Sequence, residues 1–177
     1  MTFTPLIPSS GVAGWNFLQS TYDRQYDAFV QSGQLKNESE YFAEEIGKVT
    51  SSDDLLNDRR LFQVAVKAFG LEEEINYRAL LQRALNEGTS AKDALANTMN
   101  DERYVEFSNA FGFGPGQSPM TSDSKAMEAV VNKFQSASFE EAVGEVDETM
   151  RTALFAKRAM LEVFGEPDEN DFSQLSV

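Results

Sequence analysis

Residues 102–118 read ERYVEFSNAFGFGPGQS, an amphipathic run followed by Gly112, Gly114 and Gly116 with Pro115 among them. Two readings compete, and each implies a different fold. A phosphate cradle needs its glycines at the start of a helix, usually after a strand, where free N–H groups point at the anion. A helix stop needs one glycine after the last turn, where positive φ lets the next amides turn back to unpaired carbonyls. Here the glycines follow a helical run, no strand is expected beside them, and no Gly-Lys-Ser/Thr is present. The stretch therefore reads as a stop. The same device recurs in VAVKAFGL at 64–71 and AMLEVFGE at 159–166, each an amphipathic run ending in Phe-Gly. Two of the runs share an upstream Asn-Asp step, Asn57-Asp58 and Asn100-Asp101. The unequal spacing argues against a solenoid, which needs a fixed period; an old duplication and simple reuse of one cap both remain open. Helix C-cap glycines are expected at Gly70, Gly88, Gly112 and Gly165.

Composition narrows the chemistry. The 177 residues are 41% hydrophobic and include 14 Phe but one Trp, which suits one domain with an aromatic core. Cysteine and histidine are both absent, which excludes disulfides, thiolate catalysis, Cys-ligated metals, and Ser-His-Asp or Cys-His mechanisms. The net charge of −14 opposes binding to nucleic acid and to anionic membrane surfaces. It suits either plain solubility or a basic protein partner. No apolar run approaches the length of a membrane span, and the N-terminus lacks the basic and apolar regions of a secretory signal.

The hydrophobic period predicts an all-α bundle of about seven to nine helices with no sheet, because no stretch alternates with period two. Residues 1–10, with Pro5 and Pro8, read as an extended arm. Trp15, Leu18, Tyr22, Tyr26, Phe29 and Val30 mark a first helix ending near Gly33. A second spans 37–49, with Asn37 or Ser39 as cap. Ser51 or Ser52 caps a short turn with Asp53 and Asp54 at its positive end. Leu61 to Phe69 is apolar on nearly every face, as for a central helix, with a buried strand as the competing assignment. LEEEINYRALLQRALNEG at 71–88 reads as one helix with Tyr77, Leu80, Leu81, Ala84 and Leu85 on one stripe. Thr89 or Ser90 restarts a short helix through Leu95, and Asn100 or Asp101 caps another to Phe111. Residues 112–122 form a loop, and Ser122 or Ser124 begins the next helix. Ser138 with Glu141 fits a capping box for a last helix, its stripe being Phe139, Val143, Val146, Met150 and Leu154. The organisation expected is an arm (1–10), a helical domain (11–165) with two lobes meeting near 112–122, and an acidic tail (166–177).

The remaining reactive groups are carboxylates and arginines. Glu141, Glu145 and Glu148 share a helix face at three-to-four spacing, where a solvated face outweighs an acid–base pair. Asp168, Glu169, Asn170 and Asp171 lack the alternation and glycine of a calcium loop. Arg59, Arg60 and Arg103 follow the Asn-Asp steps and suit structural pairing with Asp58, Asp101 or a neighbouring acid. Arg151 and Arg158 lie beside the last apolar stripe, where they snorkel or meet a partner's carboxylate. No catalytic residue, cofactor or metal is indicated.

Four stretches carry a resemblance: PLIPSSGVAGWNFLQSTYDRQ at 5–25, NDRRLFQVAVKAFGLEEEIN at 57–76, LANTMNDERYVEFSNAFGFG at 95–114 and FEEAVGEVDETMR at 139–151. Together they resemble a bacterial family of uncharacterised function, found mainly in alphaproteobacteria, whose genes often sit in flagellar clusters. The resemblance implies an all-helical protein and, by gene neighbourhood, a link to flagellar assembly or motility. The function expected is a non-enzymatic protein-binding factor in the cytoplasm, either an assembly factor or an acidic export chaperone that shields a partner helix. Its partner would be a protein, flagellar by that neighbourhood, with contacts at Trp15, Phe17 and Met120. A carboxylate-dependent enzyme is the competing class.

Overall fold

The computed structural model describes residues 3–165. Among them the chain forms nine α-helices joined by turns and short 3-10 segments, with no strand. The residues divide into two compact units: Phe3 with Tyr26–Phe139, and Thr4–Gln25 with 140–165. Helices α1 (Gly11–Val30) and α8 (Ser124–Val146) each contribute to both.

The larger unit is organised by α4 (Arg59–Ala68), whose Leu61, Phe62, Val64, Ala65, Val66 and Ala68 are all buried. A helix buried on nearly every side needs neighbours all round. It packs on α2 (Gly33–Glu45) and on α3 (Ser52–Asn57), while α5 (Arg78–Glu87) lies against α3, α6 (Leu95–Thr98) and α7 (Glu102–Phe111). The core is aromatic. Phe69, Phe107 and Phe111 meet edge to face with centroids 5.5–6.3 Å apart, and Phe139 takes Tyr26 and Phe29 in the same way at 5.6 and 5.4 Å. Such pairs contribute about 0.5–1.5 kcal/mol beyond the area they bury.

The two Asn-Asp to Phe-Gly stretches make matching ten-residue helices, α4 and α7. Asp58 accepts from the Arg60 and Leu61 N–H groups, and Asp101 from that of Arg103. The ends differ. Gly70, at φ 65°, donates to the Lys67 carbonyl while Leu71 donates to Val66, the paired bonds of a Schellman stop. Gly112, at φ 64° and ψ 39°, makes the single bond to Ser108 of the simpler left-handed stop. The Arg103 guanidinium ties the two together, donating to the Gly70 carbonyl and to both oxygens of Asp101.

Several boundaries differ from expectation. α2 begins at Gly33, so Asn37 and Ser39 lie inside it; the Ser32 hydroxyl donates 2.6 Å back to Phe29 and lets one helix follow another almost without a loop. The stretch 71–88 is not one helix. Leu71 is held in the Schellman stop, Glu72–Asn76 form a 3-10 segment, and Tyr77 is 64% exposed rather than on the stripe. Residues 89–94 are turns instead of a helix, fixed by the Asn97 amide, which donates to the Thr89 and Ala91 carbonyls. α8 does begin at Ser124, with Asp123 before it accepting from the Lys125 and Ala126 amides. Ser138 is interior to α8 and buried, and caps nothing. The chain breaks at Asp147 instead, whose carboxylate accepts from Thr149 and Met150 and opens α9 (Glu148–Phe164). Asp168, Glu169, Asn170 and Asp171 lie outside the described residues.

Candidate interaction face

Among the described residues, most of the exposed large apolar side chains lie in the smaller unit. Leu6, Val12, Val146, Phe155 and Met160 are exposed there, against Tyr77 and Met120 in the larger unit. α9 explains part of this. Its inward side is fixed by the buried Met150 and Leu154, by Lys157 donating to the Gln19 side chain, and by Arg158 gripping the buried Glu140 through two bonds of 2.7 and 3.1 Å. A two-bond guanidinium–carboxylate pair fixes orientation as well as charge. At the α8–α9 corner, Gly144 leaves room for Arg151, whose Cδ would lie 2.6 Å from an added Cβ.

Successive helix residues turn by about 100°. That lines Thr149, Thr152, Ala153, Ala156 and Met160 along one flank of α9, with Thr152 opposite the buried Met150 and Leu154 and Ala153 beside Met150. Thr149, Thr152, Ala156 and Met160 are exposed and Ala153 is half-buried, and a shallow depression runs along Glu148, Thr149, Thr152, Ala153 and Ala156. The Thr152 hydroxyl donates to the Glu148 carbonyl at 3.1 Å, so its polar atom is used within the helix and its methyl faces out. The face is narrow, free of charge along its centre, and flanked by Phe155, which is 56% exposed. Its N-terminal end is acidic, with Glu141, Glu145 and Glu148 exposed around the corner. Glu141 and Glu145 stand on α8 while Glu148 begins α9 and pairs with Arg151 at 3.5 Å; they do not share one helix face.

The residues singled out from sequence fall as follows. Trp15 and Phe17 are half-buried. Two positions apart on one helix, they point about 200° away from each other and cannot form a single contact patch. Met120, 37% exposed, begins a 3-10 turn and sits against Gly112. Val146, assigned to the last apolar stripe, is exposed at the corner. Gly88 and Gly165 take φ 67° and 75° but extended ψ of −153° and −179°, unlike Gly112. Arg60 pairs with Glu38 at 3.0 Å and lies 3.7 Å over the Tyr41 ring, and Arg103 pairs with Asp101 at 2.7 Å.

Two of the shifted carboxylates are helix caps. The Arg103 hydrogen bond holds Asp101 below its ordinary value. Burial would raise Asp58, but the Tyr41 hydroxyl at 2.6 Å and the Leu61 and Arg60 amides outweigh it and hold it low. The same bond raises Tyr41. Among the described residues no three acidic side chains converge as a metal site, and no helix is long and apolar enough to cross a membrane.

A family model described as "Protein of unknown function (DUF1217)" matches residues 68–164. The fold is similar to the crystal structure of protein AGR_C_984 from Agrobacterium tumefaciens, with a TM-score of 0.76 and 27% identity over 88% of this chain and 70% of that one. No curated protein matches.

Proposed function

We propose, from the premise that the chain belongs to the DUF1217 family of proteins of unknown function, that it is a non-enzymatic protein-binding factor whose outer α9 face receives a partner helix. One observation carries the reading: a charge-free strip of Thr149, Thr152, Ala153, Ala156 and Met160, all but Ala153 exposed, runs along the flank of a helix that is anchored by the buried Met150 and Leu154 and by the Arg158–Glu140 pair. Small residues let another helix approach closely, and the flanking Phe155 supplies an aromatic anchor of the kind that dominates interface energetics. The resemblance to proteins encoded in flagellar gene clusters makes a component of that system, met in the cytoplasm, the partner of choice. The role is that of an assembly factor or of a chaperone that shields an apolar helix before export.

The test is affinity capture from motile cells with the wild-type chain and with Ala156→Glu, followed by mass spectrometry. Position 156 is exposed, so the variant should keep its fold within about 0.5 kcal/mol. A flagellar component recovered by the wild type and lost with Ala156→Glu is the expected result. Equal recovery by both, or no flagellar component at all, overturns the reading.

A further inference from the structure

The arm ahead of α1 is bound in an unusual manner. Its side chains alternate: Pro5 is buried and Ile7 half-buried, while Thr4, Leu6 and Pro8 are exposed. The contact that holds it is made to backbone. Gln25, only 7% exposed, accepts the Leu6 N–H at 2.6 Å through Oε1 and donates Nε2–H to the Leu6 carbonyl at 3.1 Å. The second Nε2 hydrogen goes to Thr21 Oγ1 at 2.8 Å, and the Thr21 hydroxyl donates to the Phe17 carbonyl at 2.8 Å. The amide is thus oriented from behind and has no spare donor. Further along, the arm passes over Gly14 so closely that a Cβ there would lie 1.7 Å from the Ser9 carbonyl oxygen. A side-chain amide paired with both polar groups of one residue reads main chain, not side chain. Accordingly the Leu6 side chain stays 62% exposed.

We propose that the Gln25–Thr21–Gly14 slot is a recognition site for an extended peptide, which residues 4–9 of this chain fill in cis as a releasable strap. The ligand class follows from the contacts: an extended segment with a small buried residue, then a residue whose N–H and carbonyl are both free, then a carbonyl crossing the glycine. Pro5 and Pro8 have no N–H, so the strap offers the slot few other donors. It lies outside every helix and is attached through Ser9-Ser10-Gly11, with Gly11 at φ 68° as a pivot. A segment outside every helix, held by two backbone bonds, the buried Pro5, the half-buried Ile7 and, ahead of it, the Phe3 ring 6.2 Å from that of Phe29, opens before the core does. The slot is separate from the α9 face, and the inference stands or falls without it.

The experiment uses the full chain and the blocked peptide acetyl-TPLIPSS-amide, titrated while the Gln25 side-chain amide is followed by NMR. Leu6→Pro removes the N–H that Gln25 accepts and leaves the slot intact. This variant should bind the peptide at least about tenfold more tightly than wild type, because apparent affinity scales with the open fraction. Adding Gln25→Leu should abolish binding, read in that variant by the backbone amide signals of Thr21 and Gly14. No binding to Leu6→Pro, or equal affinity for wild type, overturns the proposal. A reading that needs no variant is amide exchange in the wild type. The Leu6 amide should exchange at least about tenfold faster than those of Leu61 and Phe62; exchange only together with them overturns the strap.

Discussion

Gly70 and Gly112 offer a controlled pair. Both end a ten-residue Asp-capped helix, both follow Phe, and both sit at φ near 65°. Alanine at either carries the backbone cost of the left-handed region, about 1–2 kcal/mol. Their surroundings differ. An added Cβ at Gly70 meets only the Arg103 side chain, with Cδ at 3.7 Å, an ordinary contact. At Gly112 it would lie 2.8 Å from the Ser118 carbonyl oxygen and 3.2 Å from Met120 Cγ. The first of these is backbone and cannot rotate aside, so an overpacking cost of about 1–3 kcal/mol is added. Gly70→Ala should therefore destabilise by about 1–2 kcal/mol and Gly112→Ala by about 2–5 kcal/mol. Urea unfolding followed by circular dichroism measures both, with the slope checked for constancy. Gly112→Ala costing no more than Gly70→Ala would refute the steric account of the loop.

Further outcomes follow from the caps and the buried pair. Asp147→Ala removes the acceptor of two amides and should cost about 1 kcal/mol in urea unfolding, while Ser138→Ala, whose hydroxyl is buried without a partner, should be neutral or stabilising. Arg158→Ala strands Glu140, and should cost about 3 kcal/mol; Glu140→Gln/Arg158→Met should recover most of it in thermal melts. Asp54, Asp58, Asp101 and Glu87 are all held below their ordinary values. The unfolded chain then binds more protons in acid, so their contribution is present above about pH 4 and is lost as pH falls through the folded values. Tyr41, raised above 10.0, works the other way: its contribution holds below that pH and is lost as pH rises through the folded value. Urea midpoints against pH check both, and Tyr41→Phe should reduce the alkaline limb without removing it, because burial raises Tyr104 as well.

Much of the architecture was legible because it is written locally. The Asn-Asp step and the Phe-Gly step each satisfy orphan amides or carbonyls within a few residues, so their spacing names both ends of α4 and α7. The capping-box reading at Ser138 misled because Ser-x-x-Glu occurs equally inside a helix. The spacing of Val130, Phe134 and Ser138 continues one buried stripe through the supposed start. α9 carries two apolar stripes, and sequence gives no rule for which is covered. Met150 and Leu154 were placed correctly, while Thr149, Thr152, Ala153, Ala156 and Met160 pass for the ordinary content of a helix. The Gln25 clamp was invisible for a different reason. A glutamine on a polar helix face reveals nothing until a chain segment 19 residues away is seen against it.

The reach of Arg103 from the start of α7 to the Gly70 carbonyl, just past the end of α4, links the stop of one helix to the start of the other. The guanidinium is half exposed, so the link favours both ends staying closed by about 0–1 kcal/mol. A chain that reuses one local grammar twice has thereby tied the end of one copy to the beginning of the other.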